Sequence, residues 1–259
     1  MNHDEKMRIL ERSVIESNEG YPGSHLIVRD DWAQIITPGA KGSASNAVYR
    51  SIVSLAEIES KVNSTCDSYE AMQVPFRWVL TPHSRPLDTA RLLERRGLQL
   101  LYEATAMIQS VDLAISPIHS ALEVRDVELA QADLYVDTFM RCWELPIEMK
   151  VEFRDGVIHG LKDSGKKFRP YVAFSDDEPI GTAALLILPS GAYLAAGTVR
   201  KDYRGRGIYR ALLSHRARVA KSLGLGQLLI HAKNHTAAPI CRRLGFEPIY
   251  QHQVYSKEK

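Results

Sequence analysis

GTVRKDYRGRGIYRALL, residues 197–213, is the stretch from which the rest of the chain is read. An apolar run, Ala192 to Val199, ends at Arg200-Lys201-Asp202-Tyr203; Arg204-Gly205-Arg206-Gly207-Ile208-Tyr209 follows, and then an amphipathic segment. A strand that feeds a helix through a Gly-rich turn leaves backbone N–H groups free at the helix start. With the positive end of the helix dipole these make an anion site suited to a pyrophosphate. Gly205 and Gly207 matter because a residue without a Cβ lets phosphate oxygens approach the main chain closely. Arginine–glycine stretches also occur in RNA-binding segments. Here there is no repeated RGG pattern, and both glycines sit between a strand pattern and a helix pattern, as an anion turn requires.

Composition narrows the class. The 259 residues suffice for one large domain or two ordinary ones, and 45% apolar with 25% charged residues is the make-up of a globular protein. A net charge of +2 provides no strong field, so bulk charge implies neither nucleic acid nor an anionic membrane as partner. There is no run of 18 apolar residues, and MNHDEKMRILER lacks the apolar core of a signal peptide. Cys66, Cys142 and Cys241 are scattered and odd in number. They form no metal-ligand spacing and suit a reducing compartment, so a cytoplasmic protein is expected.

Periodicity orders the elements. Helices are predicted over Asp4 to Asn18 (closed by Gly20), Leu55 to Met72, Pro86 to Arg96, Val127 to Trp143, Ile147 to Leu161, the segment after Gly207 (capped by Gly224) and His235 to Leu244. Strands are predicted at His25 to Val28, Trp32 to Ile36, Phe76 to Leu80, Leu98 to Val111, Leu122 to Val127, Pro170 to Phe174, Pro179 to Leu188, Ala192 to Val199, Gln227 to His231 and Pro248 to Tyr255. The polar segment Pro38 to Asn46 reads as a loop, and Ile115 to Ser120 as a linker. Arg95-Arg96-Gly97-Leu98 followed by Tyr102 has the spacing of Arg243-Leu244-Gly245-Phe246 followed by Tyr250. Each sits at a helix-to-strand exit; chance accounts for such an echo too, since these exits are common.

From Leu122 to Tyr255 the chain resembles the GNAT superfamily of N-acetyltransferases. The pyrophosphate motif Arg/Gln-x-x-Gly-x-Gly/Ala is matched by Arg204, Gly207 and, at the sixth position, Tyr209, where Gly or Ala is usual. Asn234-x-x-Ala237 followed by Leu244-Gly245-Phe246 looks like the strand-five and helix-four signature. PFRWVLTPHSRPLDTARLLERRGLQLL, in the first half, is similar to a degenerate second copy without the Gly-rich turn.

The resemblance implies an α/β (α+β) GNAT-like fold, with a mixed, mostly antiparallel central sheet flanked by helices. It implies two domains in tandem, a degenerate one over 1–115 and an acetyl-CoA-binding one over 120–259. It further implies an acyl-CoA-dependent N-acyltransferase that moves acetyl from acetyl-CoA to a small-molecule primary amine. The alternatives are a protein or aminoacyl-tRNA acceptor, or a non-catalytic acyl-CoA-binding regulatory protein. Monomer and homodimer both stay open.

Residue by residue, the resemblance makes the Val199 N–H the donor to the thioester carbonyl, with Gly197 and Thr198 flanking the acetyl group. Gly197, Thr198, Val199, Arg204, Gly205, Arg206, Gly207, Ile208, Tyr209 and Asn234 would hold acetyl-CoA. Cys241 stands where relatives place a tyrosine as acid for the leaving thiolate, and a small buried apolar residue is the rival reading. Ala195 and Ala196 occupy positions where relatives carry a basic glutamate. Glu144, Glu148 and Glu152, on one face if the helix runs through Pro146, are candidates for the base with a solvated acidic face as the rival reading; His231 is another, against a buried structural histidine, and Tyr193 a third, against a core or cleft-wall residue. Arg210, Arg216, Arg218 and Lys221 read either as contacts to the 3′-phosphate or as a solvated helix face.

Overall fold

The computed structural model describes residues 1–19, 22–112, 122–165 and 167–257; Gly20 and the Ile115–Ser120 linker lie outside them. Helix α1 (His3–Glu16) begins with a reciprocal cap, Asn2 and Glu5 each bonding the other's backbone N–H at 2.9 Å. Strands β1 (His25–Val28), β2 (Trp32–Ile36) and β3 (Ala47–Ser51) follow. Helix α2 (Ile58–Ala71) crosses to β4 (Phe76–Leu80), and α3 (Thr89–Arg95) leads to β5 (Gln99–Ser110). The second half runs β6 (Leu122–Asp126), α4 (Ala132–Trp143), α5 (Lys150–Lys162), β7 (Phe168–Ser175), β8 (Glu178–Leu188) and β9 (Gly191–Val199). It closes with α6 (Ile208–Ser222), β10 (Gln227–Lys233), α7 (Ala237–Arg243) and β11 (Glu247–Lys257). None of the described helices is long and apolar enough to cross a membrane.

Packing divides the described residues into two compact units, one from Met1–Ala106, Ala232–Pro239 and Pro248–Lys259, the other from Met107–His231 and Ile240–Glu247. In the first, β1–β2–β3 pair antiparallel, β3 and β4 run parallel across the α2 crossover, and β11 lies antiparallel to β4 with Val254 opposite Val79. In the second, β6–β7–β8–β9 pair antiparallel, and β9 and β10 run parallel across the α6 crossover. Each unit is therefore mixed and mostly antiparallel. The packing units do not coincide with the spans 1–115 and 120–259. β4 takes its antiparallel partner from the end of the chain, and Tyr255 enters the first core with it.

That first core is aromatic. Trp32 meets Trp78 edge-on at 5.5 Å, Tyr69 stacks on Phe76 at 4.6 Å, and Val62 and Cys66 of α2 pack against them. One core of the second unit joins Tyr135, Val136 and Met140 of α4 to Val157 of α5 and Val172 of β7. β7 and β8 turn on Asp176 and Asp177, with φ of 50° and 62°, the left-handed pair that a two-residue hairpin requires. β3 is a strand that periodicity missed, because AVYRS has only two leading apolar residues and no clear alternation.

The echo in the sequence corresponds to identical chain geometry. Gly97 and Gly245 have φ of 80° and 84°. Their N–H groups donate to Glu94 and Arg242 carbonyls, and those of Leu98 and Phe246 donate five residues back, to Leu93 and Cys241. Both helices thus end in a Schellman motif that turns the chain into the next strand.

Candidate active site

The turn between β9 and α6 leaves main-chain N–H groups uncapped at the start of the helix. Gly207 is the N-cap of α6 at φ 81°, ψ 0°, and no side chain caps the helix, so the Ile208, Tyr209 and Arg210 N–H groups have no intrahelical acceptor. Gly205 has φ 79°, and an added Cβ at either glycine would meet nothing within 4 Å, which leaves the main chain open to a ligand. The turn is braced from beneath. Arg204 Nε donates to the Val199 carbonyl at 3.1 Å, and the Arg200 and Arg206 guanidiniums lie 4.6 and 4.9 Å from the Tyr203 ring centre. Glu178 accepts from the Tyr203 hydroxyl and from Arg200, and these two bonds hold its carboxyl below the ordinary carboxylate range.

The strand that enters the turn is kinked. Between β8 and β9 the register moves from Thr182 opposite Thr198 to Ala184 opposite Ala195, so β9 carries one extra residue, and Ala196 takes φ 53°. On its other edge β9 pairs with β10 only at Ala192–Leu228 and Tyr193–Leu229. Arg200 N–H donates to Ile180 at 2.9 Å, toward β8; by strand alternation Val199 faces the opposite edge, where the β10 ladder has ended. Its carbonyl accepts from Arg204.

Tyr209 turns its ring away from the turn and into the fold. Its Cε2 lies 3.1 Å from where a Gly197 Cβ would stand, and its hydroxyl is hydrogen-bonded to Cys241. Burial raises the Tyr209 pKa and pushes the Cys241 thiol up to about 11.

Residues 132–246 match the model of the Acetyltransferase (GNAT) family. The chain carries a GNAT domain. Solved structures extend the likeness over nearly all of it. A GCN5-related N-acetyltransferase from Kribbella flavida is 15% identical, with 97% of this chain and 96% of that one covered and a TM-score of 0.70. One from Sphaerobacter thermophilus is 17% identical, with 95% and 85% covered and a TM-score of 0.64. A tandem GNAT protein from the clavulanic acid biosynthesis pathway is 12% identical, with 99% and 94% covered and a TM-score of 0.57. At such identities the likeness is one of fold, and the fold is GNAT-like. None of the curated proteins compared with the chain matches it in sequence.

Within the GNAT domain, Gly197, Thr198, Val199, Arg204 to Tyr209 and Cys241 all belong to the second packing unit. Asn234 falls with the first, where its side-chain oxygen accepts from Thr105 Oγ1 at 2.7 Å and its N–H donates to the Glu103 carbonyl. Tyr193 and His231 stand at the end of the β9–β10 ladder with ring centres 5.9 Å apart. The common face expected for Glu144, Glu148 and Glu152 does not form. Glu144 ends α4 in the left-handed region at φ 53° and pairs with Lys201 at 3.1 Å, Glu148 sits in a 3-10 turn, and only Glu152 is in α5. The basic residues of α6 also separate: Arg210 and Arg218 are exposed, Lys221 pairs with Asp112 at 3.1 Å, and Arg216 is fully buried. Arg216 follows Leu212 by one helical turn, which puts it on the core stripe.

Proposed function

We propose that the protein transfers an acetyl group from acetyl-CoA to a primary amine of a small molecule by direct attack on the thioester. One observation carries this reading: an uncapped glycine turn on α6 stands directly after a strand whose ladder with β10 has ended before Val199. The N–H groups of Ile208, Tyr209 and Arg210 would hold the pyrophosphate, with Gly205 and Gly207 giving access. The pantetheine arm would run toward the opening beside Gly197 and Thr198. The amine nitrogen then bonds to the acetyl carbon, the Val199 N–H stabilises negative charge on the acyl oxygen, and the C–S bond breaks to release thiolate. Cys241 and Tyr209 supply the polar environment for that sulfur. Tyr193 and His231 border the same opening and would relay the amine's proton outward.

The two-domain reading, 1–115 as a degenerate copy and 120–259 as the acetyl-CoA domain, draws support from the repeated crossover and Schellman exit. In the first copy Glu57 takes the place of the glycine turn at the start of α2 and bonds Ser54 through its carboxylate, which disfavours an anion there.

The test is release of CoA thiol from acetyl-CoA across pooled amines, with wild type and Gly207→Glu, alongside calorimetric binding of acetyl-CoA. We expect amine-dependent release that falls at least ~100-fold in the variant. Binding without release by any pool would favour the regulatory reading. No binding at all would overturn the assignment of the turn.

A further inference from the structure

Arg216 is a cation with no exposed surface, and among the described residues no carboxylate pairs with it. The groups that bear on its charge are phenols and a thiol: Tyr209, Cys241, Tyr171 and Tyr135. A buried guanidinium without a counter-charge is costly, and an apolar side chain of similar volume would serve packing as well or better. Its donors point to another task. Nε bonds the Leu212 carbonyl at 3.1 Å within α6, while Nη1 reaches both the Ala184 and Ala195 carbonyls at 3.2 Å. Ala184 and Ala195 are the facing pair at which the β8–β9 register shifts. Nη2 lies 3.5 Å from the point where a Gly197 Cβ would stand, beside the Tyr209 ring.

We infer that Arg216 is a positioning residue for the oxyanion donor: it pins the bulge at Ala196–Gly197, so fixing the direction of the Val199 N–H, and sets buried positive charge beside the acyl oxygen. The inference rests on the acetyl-transfer reading for its catalytic part. Its structural part, the pinned bulge, stands on the hydrogen bonds alone.

The full chain is compared with Arg216→Met and Arg216→Lys for melting temperature, amide exchange over Ala195–Arg200, and kcat and KM with the acceptor found above. For Arg216→Met we expect a melting temperature within ~5 °C of wild type. Exchange across Ala195–Arg200 rises at least ~10-fold while β7 is unchanged. kcat drops ~30-fold or more with KM for acetyl-CoA within ~3-fold, and Arg216→Lys recovers part of the loss. A folded methionine variant with wild-type exchange and kcat overturns the inference, as does a loss of kcat that merely tracks melting temperature in both variants. If the methionine variant does not fold, the lysine variant decides, since one ammonium cannot span the two carbonyls and Leu212; unchanged exchange there is equally fatal. Should wild type transfer no acetyl group, the proposed function falls, and exchange across the bulge still decides whether Arg216 holds it.

Discussion

Gly207 combines φ 81° with empty space around its missing Cβ, so what it supplies is backbone conformation and access. An L-residue there costs about 1–2 kcal/mol. We therefore expect Gly207→Ala to lower the melting temperature by a few degrees while keeping part of acetyl-CoA binding, which separates strain from the charge effect of the glutamate variant. Burial pushes Cys66, Cys142 and Cys241 each from the ordinary 9.0 up to about 11. The folded chain then holds these thiol protons more tightly than the unfolded chain. That stabilisation is complete below pH 9 and is lost as pH rises through about 11. The urea midpoint should fall across this window, and fall less in Cys241→Ala; a flat midpoint from pH 9 to 11 contradicts the account. Residue types alone misplaced Arg216, whose charge suggested solvent although its spacing from Leu212 fits the core stripe.

At the level of elements, the chain was most legible where a local signal ends a helix or turns a strand. Gly97, Gly224 and Gly245 all stand at helix exits in the left-handed region, as their positions after apolar-periodic runs imply. Because Gly97 and Gly245 occupy the same motif, Gly97→Ala and Gly245→Ala should each lower unfolding free energy by about 1 kcal/mol in urea titrations. A neutral result at either position would break the equivalence of the two exits. Short elements were less legible. β3 carries too few apolar residues to show a period, whereas the break at Pro146 is local and legible: α4 stops before it and α5 starts after it, so the condition for a shared Glu144–Glu152 face is not met.

For the molecule as a whole, the end of the chain completes the first unit. β11 pairs with β4 over Gln253 to Lys257, and Tyr255 packs in the core with Trp32 and Trp78. Removing residues 247–259 should therefore loosen that core, seen as a red shift of tryptophan emission and faster amide exchange in β4. A truncated chain with native emission would refute this. The strand–turn–helix order of the second half, the left-handed glycines of the β9–α6 turn and the repeated helix exits are legible in the sequence, because each depends on residues within a turn or two of one another. Long-range packing set which strand completes β4, that β9 bulges at Ala196, that Tyr209 turns inward to Cys241, and that Arg216 bonds Ala184 and Ala195. Those outcomes depend on partners far apart along the chain, selected by close packing and by the demand that buried carbonyls be satisfied, and no local period encodes them.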